Sequence, residues 1–409
     1  MTSAPGPGDG ARAWADGAAA RFSLGGIRTA EFLALLYTPE LAAAVEGLDA
    51  VVRDTPAVGT ARRGRAGTGP RPAWAPRVFT DALPADLRHR LLVWTELVPA
   101  RRHGIGRTLT PPDAAANDVY RVLHLHLRED GAPWEAGLLS LYLDMCLAHV
   151  VDVHSVLAVC ERLTAGAPAE HLERLEEMGA RRFGDRGDQG SGPPARGPEH
   201  VRLLRLLQRL DRSRTPKDVL PPGDLFGDLL STARPDLWNG TGTADLLVHL
   251  LEPPSTRPSA AWRRRTAGHL AALPDAAATV LGILDLAPSL PEAGPRDRWD
   301  TSADHLRPHV QDILHGAVWC ADLLPEEARE AAVPVLERTA VFTGTGPGGS
   351  RKVRAERAAS AAVRVLAGWG GPHGARALAR LGAVIEKETL RRVLAAAAAS
   401  LPAASRGAP

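Results

Sequence analysis

From Asp304 to Leu401 the chain alternates apolar helical stretches with short turns carrying Pro or Gly. That rhythm constrains the fold more than any other feature. Asp304–Leu323 reads as one helix and Glu326–Phe342 as its partner, separated by Leu324-Pro325. Val353–Ala367 reads as the next. Trp369-Gly370-Gly371-Pro372 reads as a sharp helix–helix turn, and Gly374–Ile385 and Lys387–Leu401 complete the series. Proline cannot continue a helix and glycine closes one cheaply, so each such turn sets neighbouring helices side by side. Units of roughly 35–45 residues match the period of HEAT-type helical arrays.

The apolar composition agrees. Hydrophobic residues make up 44% and aromatics only 4%, so the core must be built from Ala, Leu and Val. Ala and Leu are the strongest helix formers, and small Ala faces let helices approach closely. No run alternates Val, Ile, Thr and Tyr around hairpin turns, so strands are not expected. The fold class is therefore all-α, an α-solenoid of HEAT/armadillo-like helical pairs with long flexible loops.

Along the chain, residues 1–20 read as a disordered N-terminus and 21–183 as a helical region broken by a basic loop at 53–77. Residues 184–198 read as a flexible linker, 199–401 as the HEAT-like array and 402–409 as a tail. The 53–77 stretch holds six Arg against one Asp and too little apolar surface to offset its ordering entropy. Thr38-Pro39-Glu40 combines an N-cap, a Pro at the first helical position and an early acid, which starts a helix running to Val52. Leu87, Leu91, Leu92, Trp94 and Val98 recur at helical spacing. Pro133-Trp134-Glu135 opens a long helical segment reaching Leu157, and His171–Met178 and His200–Leu210 are amphipathic.

A family resemblance rests on the C-terminal quarter. Ile313-Leu314-His315-Gly316-Ala317-Val318-Trp319 is followed by a second helix, then Gly344-Thr345-Gly346-Pro347-Gly348 and the basic start Arg351-Lys352-Val353. An Ala-rich helix, Ala377-Leu378-Ala379-Arg380-Leu381 and a closing Ala-rich helix follow. This order resembles the HEAT-like helical region of large bacterial proteins related to the molybdate-metabolism regulator. Those proteins often also carry Trp-Gly-Arg modules and a C-terminal domain of unknown function. The resemblance covers Asp304–Leu401 and implies a helical fold rather than an activity. Because the family's closing domain would lie beyond Leu401, it also implies either a truncated relative or a standalone helical partner.

Charge and cysteine usage narrow the function classes. Net charge is +2, and lysine occurs only at Lys217, Lys352 and Lys387, so the positive charge is almost all Arg. Three isolated cysteines, Cys146, Cys160 and Cys320, form no CxxC pair and fit a reducing, cytoplasmic setting. The start of the chain has no apolar signal core, and no run of about 18 apolar residues predicts a membrane span.

Chemical motifs are few. Gly344–Lys352 lacks the Lys-Ser/Thr pair of a phosphate-binding P-loop, since Ser350-Arg351 stand there. Free N–H groups at a helix start near Val353, with Arg351 and Lys352, can hold an anion. Cys146, His149 and Asp152 share a sector if one helix runs through them, with His154 pointing away and His124 or His126 as outside contributors. No zinc-type ligand spacing is present, so no metal and no cofactor are expected. Trp262-Arg263-Arg264-Arg265 is the strongest basic patch, although consecutive Arg residues fan around a helix. Arg101-Arg102-His103 and Arg391-Arg392 are smaller clusters. Trp299-Asp300 and the Arg186-Gly187-Asp188 tripeptide carry no geometry of their own. No GxSxG or HExxH motif occurs, and Cys320 reads as a buried structural thiol.

The leading expectation is a non-catalytic scaffold or adaptor whose partner is another protein. The alternative is a solenoid that binds nucleic acid through Arg263, Arg264, Arg265, Arg351 and Lys352. The third is an enzyme whose site forms only in three dimensions.

Overall fold

The computed structural model describes residues 36, 38–54, 75–97, 123–147, 151–163, 168–183, 198–220, 224–254, 256–290, 306–347 and 352–401. The expected 1–20, 184–198 and 402–409 segments, most of the 53–77 loop, His149, Arg101-Arg102-His103, Arg186–Asp188, Trp299-Asp300 and Arg351 fall wholly or largely outside these residues. All regular structure among the described residues is helical. The chain divides into two compact units, Met1–Phe183 and Gly184–Pro409. No single described helix is long and apolar enough to cross a membrane.

In the first unit, α1 (Pro39–Asp54), α2 (Ala75–Asp81), α3 (Ala85–Leu97), α4 (Ala136–Leu147), α5 (Val153–Cys160) and α6 (Ala169–Phe183) are joined by a helical turn at 123–127. The Thr38 hydroxyl accepts from Leu41 N at 3.1 Å, the cap that the sequence asks for at the start of α1. Helix α1 packs on α2 and α3, and α4 packs on α3, α5 and α6. Leu48, Leu91, Leu92, Leu123, Leu139, Tyr142, Met145, Val156, Leu157 and Leu175 are fully buried between them.

The long helix expected from Pro133 to Leu157 is two helices. Asp152 is the reason. Its carboxylate accepts from Ser155 N at 3.0 Å and from Ser155 Oγ at 2.7 Å, so it caps α5 instead of lying within a continuous helix. An Asp side chain competes with the helical ladder for backbone N–H groups, and here it wins.

The second unit holds α7 (Pro198–Leu210), α8 (Leu225–Ala233), α9 (Pro235–Trp238), α10 (Thr241–Leu250), α11 (Ala260–Ala271), α12 (Ala276–Asp285), α13 (Pro308–Ala321), α14 (Glu326–Gly344), α15 (Glu356–Trp369), α16 (Gly371–Val384) and α17 (Glu388–Ser400). Packing follows a simple rule in its later part. Each helix from α12 onward touches the next one and the next but one. This makes two rows, α12–α14–α16 and α13–α15–α17, and α10 and then α7 extend the second row. One continuous apolar core runs from Val201 to Leu401.

The predicted helices here are observed with shifted ends. Helix α15 begins at Glu356 and not at Val353, because the preceding residues bond back onto α14. Ala355 N donates to Thr343 O at 2.9 Å and Arg354 N to Thr345 O at 3.2 Å. Gly370 and Gly371 both take left-handed φ, 63° and 69°, which turns the chain sharply between α15 and α16. At Gly316 on α13 an added Cβ would stand 3.3 Å from Leu250 Cα, so the missing side chain lets the end of α10 pass close.

Candidate functional site

That close approach positions the candidate site. Beyond Leu250 the chain enters the Pro-bearing loop Glu252-Pro253-Pro254, which is fastened to α15 by two guanidiniums. Arg357 Nη2 donates to Pro254 O at 2.9 Å, and Arg364 Nη1 donates to Thr256 O at 3.3 Å. Arg357 and Arg364 are seven residues apart, two helical turns, and so share one face of α15. Arg357 also reaches Asp312 Oδ1 on α13 at 3.4 Å. The loop is held from behind as well, since Trp262 Nε1 of α11 donates to Glu252 O at 3.2 Å and Arg205 of α7 pairs with the Glu252 carboxylate.

On α13, Asp312, His315 and Trp319 share a face at i, i+3 and i+7. The Trp319 indole N–H donates to His315 Nε2 at 3.2 Å. An indole can only donate, so Nε2 is the bare nitrogen and the neutral ring carries its proton on Nδ1. That Nδ1–H is buried and finds no acceptor among the described residues.

The electrostatics of this face are one-sided. Burial first, then Arg357 and Arg364, push the His315 titration down to about 4. Burial raises the Asp312 carboxyl to about 6 against the pull of Arg357. Burial, and then the like charge of Arg257, hold the Arg364 guanidinium below its usual range. No carboxylate acts on Arg364 among the described residues. Arg257 itself is exposed in the loop. The cluster thus offers guanidiniums and a buried N–H donor, partly offset by one carboxylate. Chemically it suits an oxyanion.

Arg263, Arg264 and Arg265 are all exposed on α11 and diverge. Arg263 Nη2 bonds Asp322 Oδ2 just past the end of α13 at 3.0 Å. Arg265 acts instead on His249 and His269, with Arg205. Lys352 is exposed ahead of α15, but Ala355 N is already bonded to α14 and Arg354 N to Thr345 just past its end, so the helix start expected at Val353 does not form there. Arg357, Arg364, Arg257, Asp312 and His315 went unrecognised as a site in the sequence. The seven-residue spacing of the two arginines was the only available signal, and the loop that completes the cluster is bonded across 103 and 108 residues of sequence.

The side chains considered for a metal do not converge as one helix face would place them. The Cys146 thiol lies against Met178 Sδ at 3.4 Å and burial pushes its titration up to about 11. Asp152 caps α5. His154 is exposed, and the His126 ring is bonded to Asp81 at 2.7 Å. Among the described residues no group of three or more His, Cys, Asp and Glu is arranged to hold a metal.

His124, Ser155 and Glu96 come together in a way that resembles a hydrolytic triad. His124 Nε2 stands 3.1 Å from both Ser155 Oγ and Glu96 Oε1, and the Tyr142 hydroxyl donates to Glu96 at 3.1 Å. The proton positions run the wrong way for nucleophilic chemistry. Ser155 gives its only proton to Asp152, so His124 Nε2–H donates to Ser155 and Glu96 and cannot accept there. The ladder fastens α3, α4, α5 and the 123–127 turn together.

No protein-family model, curated protein or solved structure matches the chain.

Proposed function

We propose that the second unit is an α-solenoid of HEAT-like helical pairs and that the protein is a scaffold or adaptor that holds another protein. The observation carrying this reading is the packing of α12 to α17, in which each helix rests on the next and the next but one. Repeated in this way, helices generate a long surface from many adjacent units, and such a surface is the usual working part of a solenoid. The order of motifs from Asp304 to Leu401 that resembles the HEAT-like region of the molybdate-regulator relatives supports the same reading. The row α10–α13–α15, with its loop, is the face we assign to the partner. It carries Arg257, Arg357 and Arg364 together with Arg263 at its edge.

Affinity capture of the full chain from its native host tests this. The expected result is one protein recovered near equimolar amounts with the wild type and depleted with Arg257→Glu, a change confined to an exposed loop position. Recovery of no partner, or of the same partner undiminished, contradicts the assignment.

Nucleic acid is the second reading, favoured only by the excess of Arg on this face. It requires binding that falls steeply with salt, which a titration of a labelled duplex between about 50 and 200 mM salt measures.

A further inference from the structure

Arg364 poses an energetic problem. Its guanidinium is half-buried, and Arg257 is the charged neighbour acting on it. Desolvating a cation beside another cation is unfavourable on both counts. The Thr256 carbonyl takes one of its N–H groups, at 3.3 Å, and no carboxylate among the described residues compensates the charge itself. On the neighbouring α13, the His315 Nδ1–H is a second donor without an acceptor among the described residues, on a ring held neutral by its surroundings. Arg357 adds a second guanidinium on the same helical face, shared with Asp312. Arg364, Arg257 and the His315 N–H all favour negative charge.

We propose that Arg364 and Arg257, with Arg357 beside them, form a binding site for a carboxylate presented by an acidic segment of the partner protein. This rests on the scaffold reading and names the chemistry of what the scaffold holds. Two features select a carboxylate. A guanidinium fork matches its planar pair of oxygens. Asp312, in the same cluster, adds a negative charge that a monoanion tolerates better than a dianion does. Charges facing the site come from the α10–α11 loop (Arg257), α13 (Asp312) and α15 (Arg357, Arg364), with the Arg263–Asp322 pair at the margin.

Anisotropy of a fluorescein-labelled hexaglutamate peptide titrated with the full chain at about 50 mM salt, where exposed charges are little screened, tests the site. Saturable binding is expected, weakened about tenfold by Arg364→Gln and by Arg257→Gln, the loss of one charge-assisted contact each. Arg264→Gln, on the exposed face of α11, is expected to leave it unchanged. Circular dichroism melts of each variant check that the fold persists, and Arg257→Gln carries the test alone if Arg364→Gln unfolds. Absence of saturable binding, or an equal loss in Arg264→Gln, overturns the proposal. So does tighter binding of a phosphoserine peptide of equal net charge. If the peptide fails to bind while the native partner is still captured, the carboxylate site falls and the scaffold reading stands. If the peptide binds as expected and no partner is captured, the site stands and the scaffold reading falls.

Discussion

Gly374 and Gly382 lie on the same helix, α16, and the same substitution is expected to move stability in opposite directions. A Cβ on Gly374 would sit 2.8 Å from the Leu366 carbonyl oxygen of α15, a backbone atom that cannot step aside. Gly374→Ala is expected to cost about 1–3 kcal/mol through overpacking. At Gly382 nothing lies within 4 Å of the new methyl group, so the helix propensity of Ala prevails. Gly382→Ala is expected to stabilise by about 0.5–1 kcal/mol. Urea midpoints measure both, and two shifts of the same sign contradict the packing described. Histidines that are wholly or partly buried give a second residue-scale expectation. Burial pushes His249 down to about 3 and His315 to about 4, and His269 and His89 move the same way. An unfolded histidine titrates near 6.5. Between about 6.5 and 3 the unfolded chain therefore binds protons that the folded one refuses, and stability falls as pH drops. Asp312, raised to about 6, works against this between its unfolded value of 3.8 and 6, but it is one group against four histidines. The urea midpoint is expected to fall from pH 7 to pH 5, and less so in His249→Phe. A flat profile contradicts the account.

At the scale of elements, most helices were legible because their signals are local. Thr38-Pro39-Glu40 starts α1 by capping, and Gly370-Gly371-Pro372 turns α15 into α16 by backbone conformation alone. What could not be read was set by contacts distant in sequence or by competition between two local rules. The start of α15 shifted because Arg354 and Ala355 bond to α14. The break between α4 and α5 was masked by apolar residues that continue at helical spacing across it, while Asp152 took the capping role. That role has a measurable size. Asp152→Ala is expected to cost about 1 kcal/mol, and Asp152→Asn, which keeps an acceptor for Ser155 N, less than half of that. Equal effects would mean that the carboxylate acts through charge and not as a cap. The candidate site was illegible for a related reason. The sequence draws attention to three adjacent arginines on α11, which the helix necessarily scatters. The arginines that converge are two turns apart on α15 and are completed by a loop between α10 and α11.

At the scale of the molecule, the two-row packing of the second unit fixes where it should be firm. Helices α13, α14 and α15 have neighbours on both sides along their rows, whereas α17 packs chiefly on α15 and α16. Protection then falls toward α17, because a terminal element opens without disturbing the rest. Native-state hydrogen exchange is expected to show amides of α15 about 100-fold better protected than those of α17, and equal protection would argue for one undivided globule. The function assigned to this unit depends on which surface meets a partner. A photo-crosslinking residue placed at Thr256, exposed beside Arg364, and another at Ala395, exposed on α17, separate the possibilities in the native host. The account expects one partner protein crosslinked from Thr256 and none from Ala395. Crosslinks to a partner from Ala395 alone, or no protein crosslinked from Thr256, would contradict it.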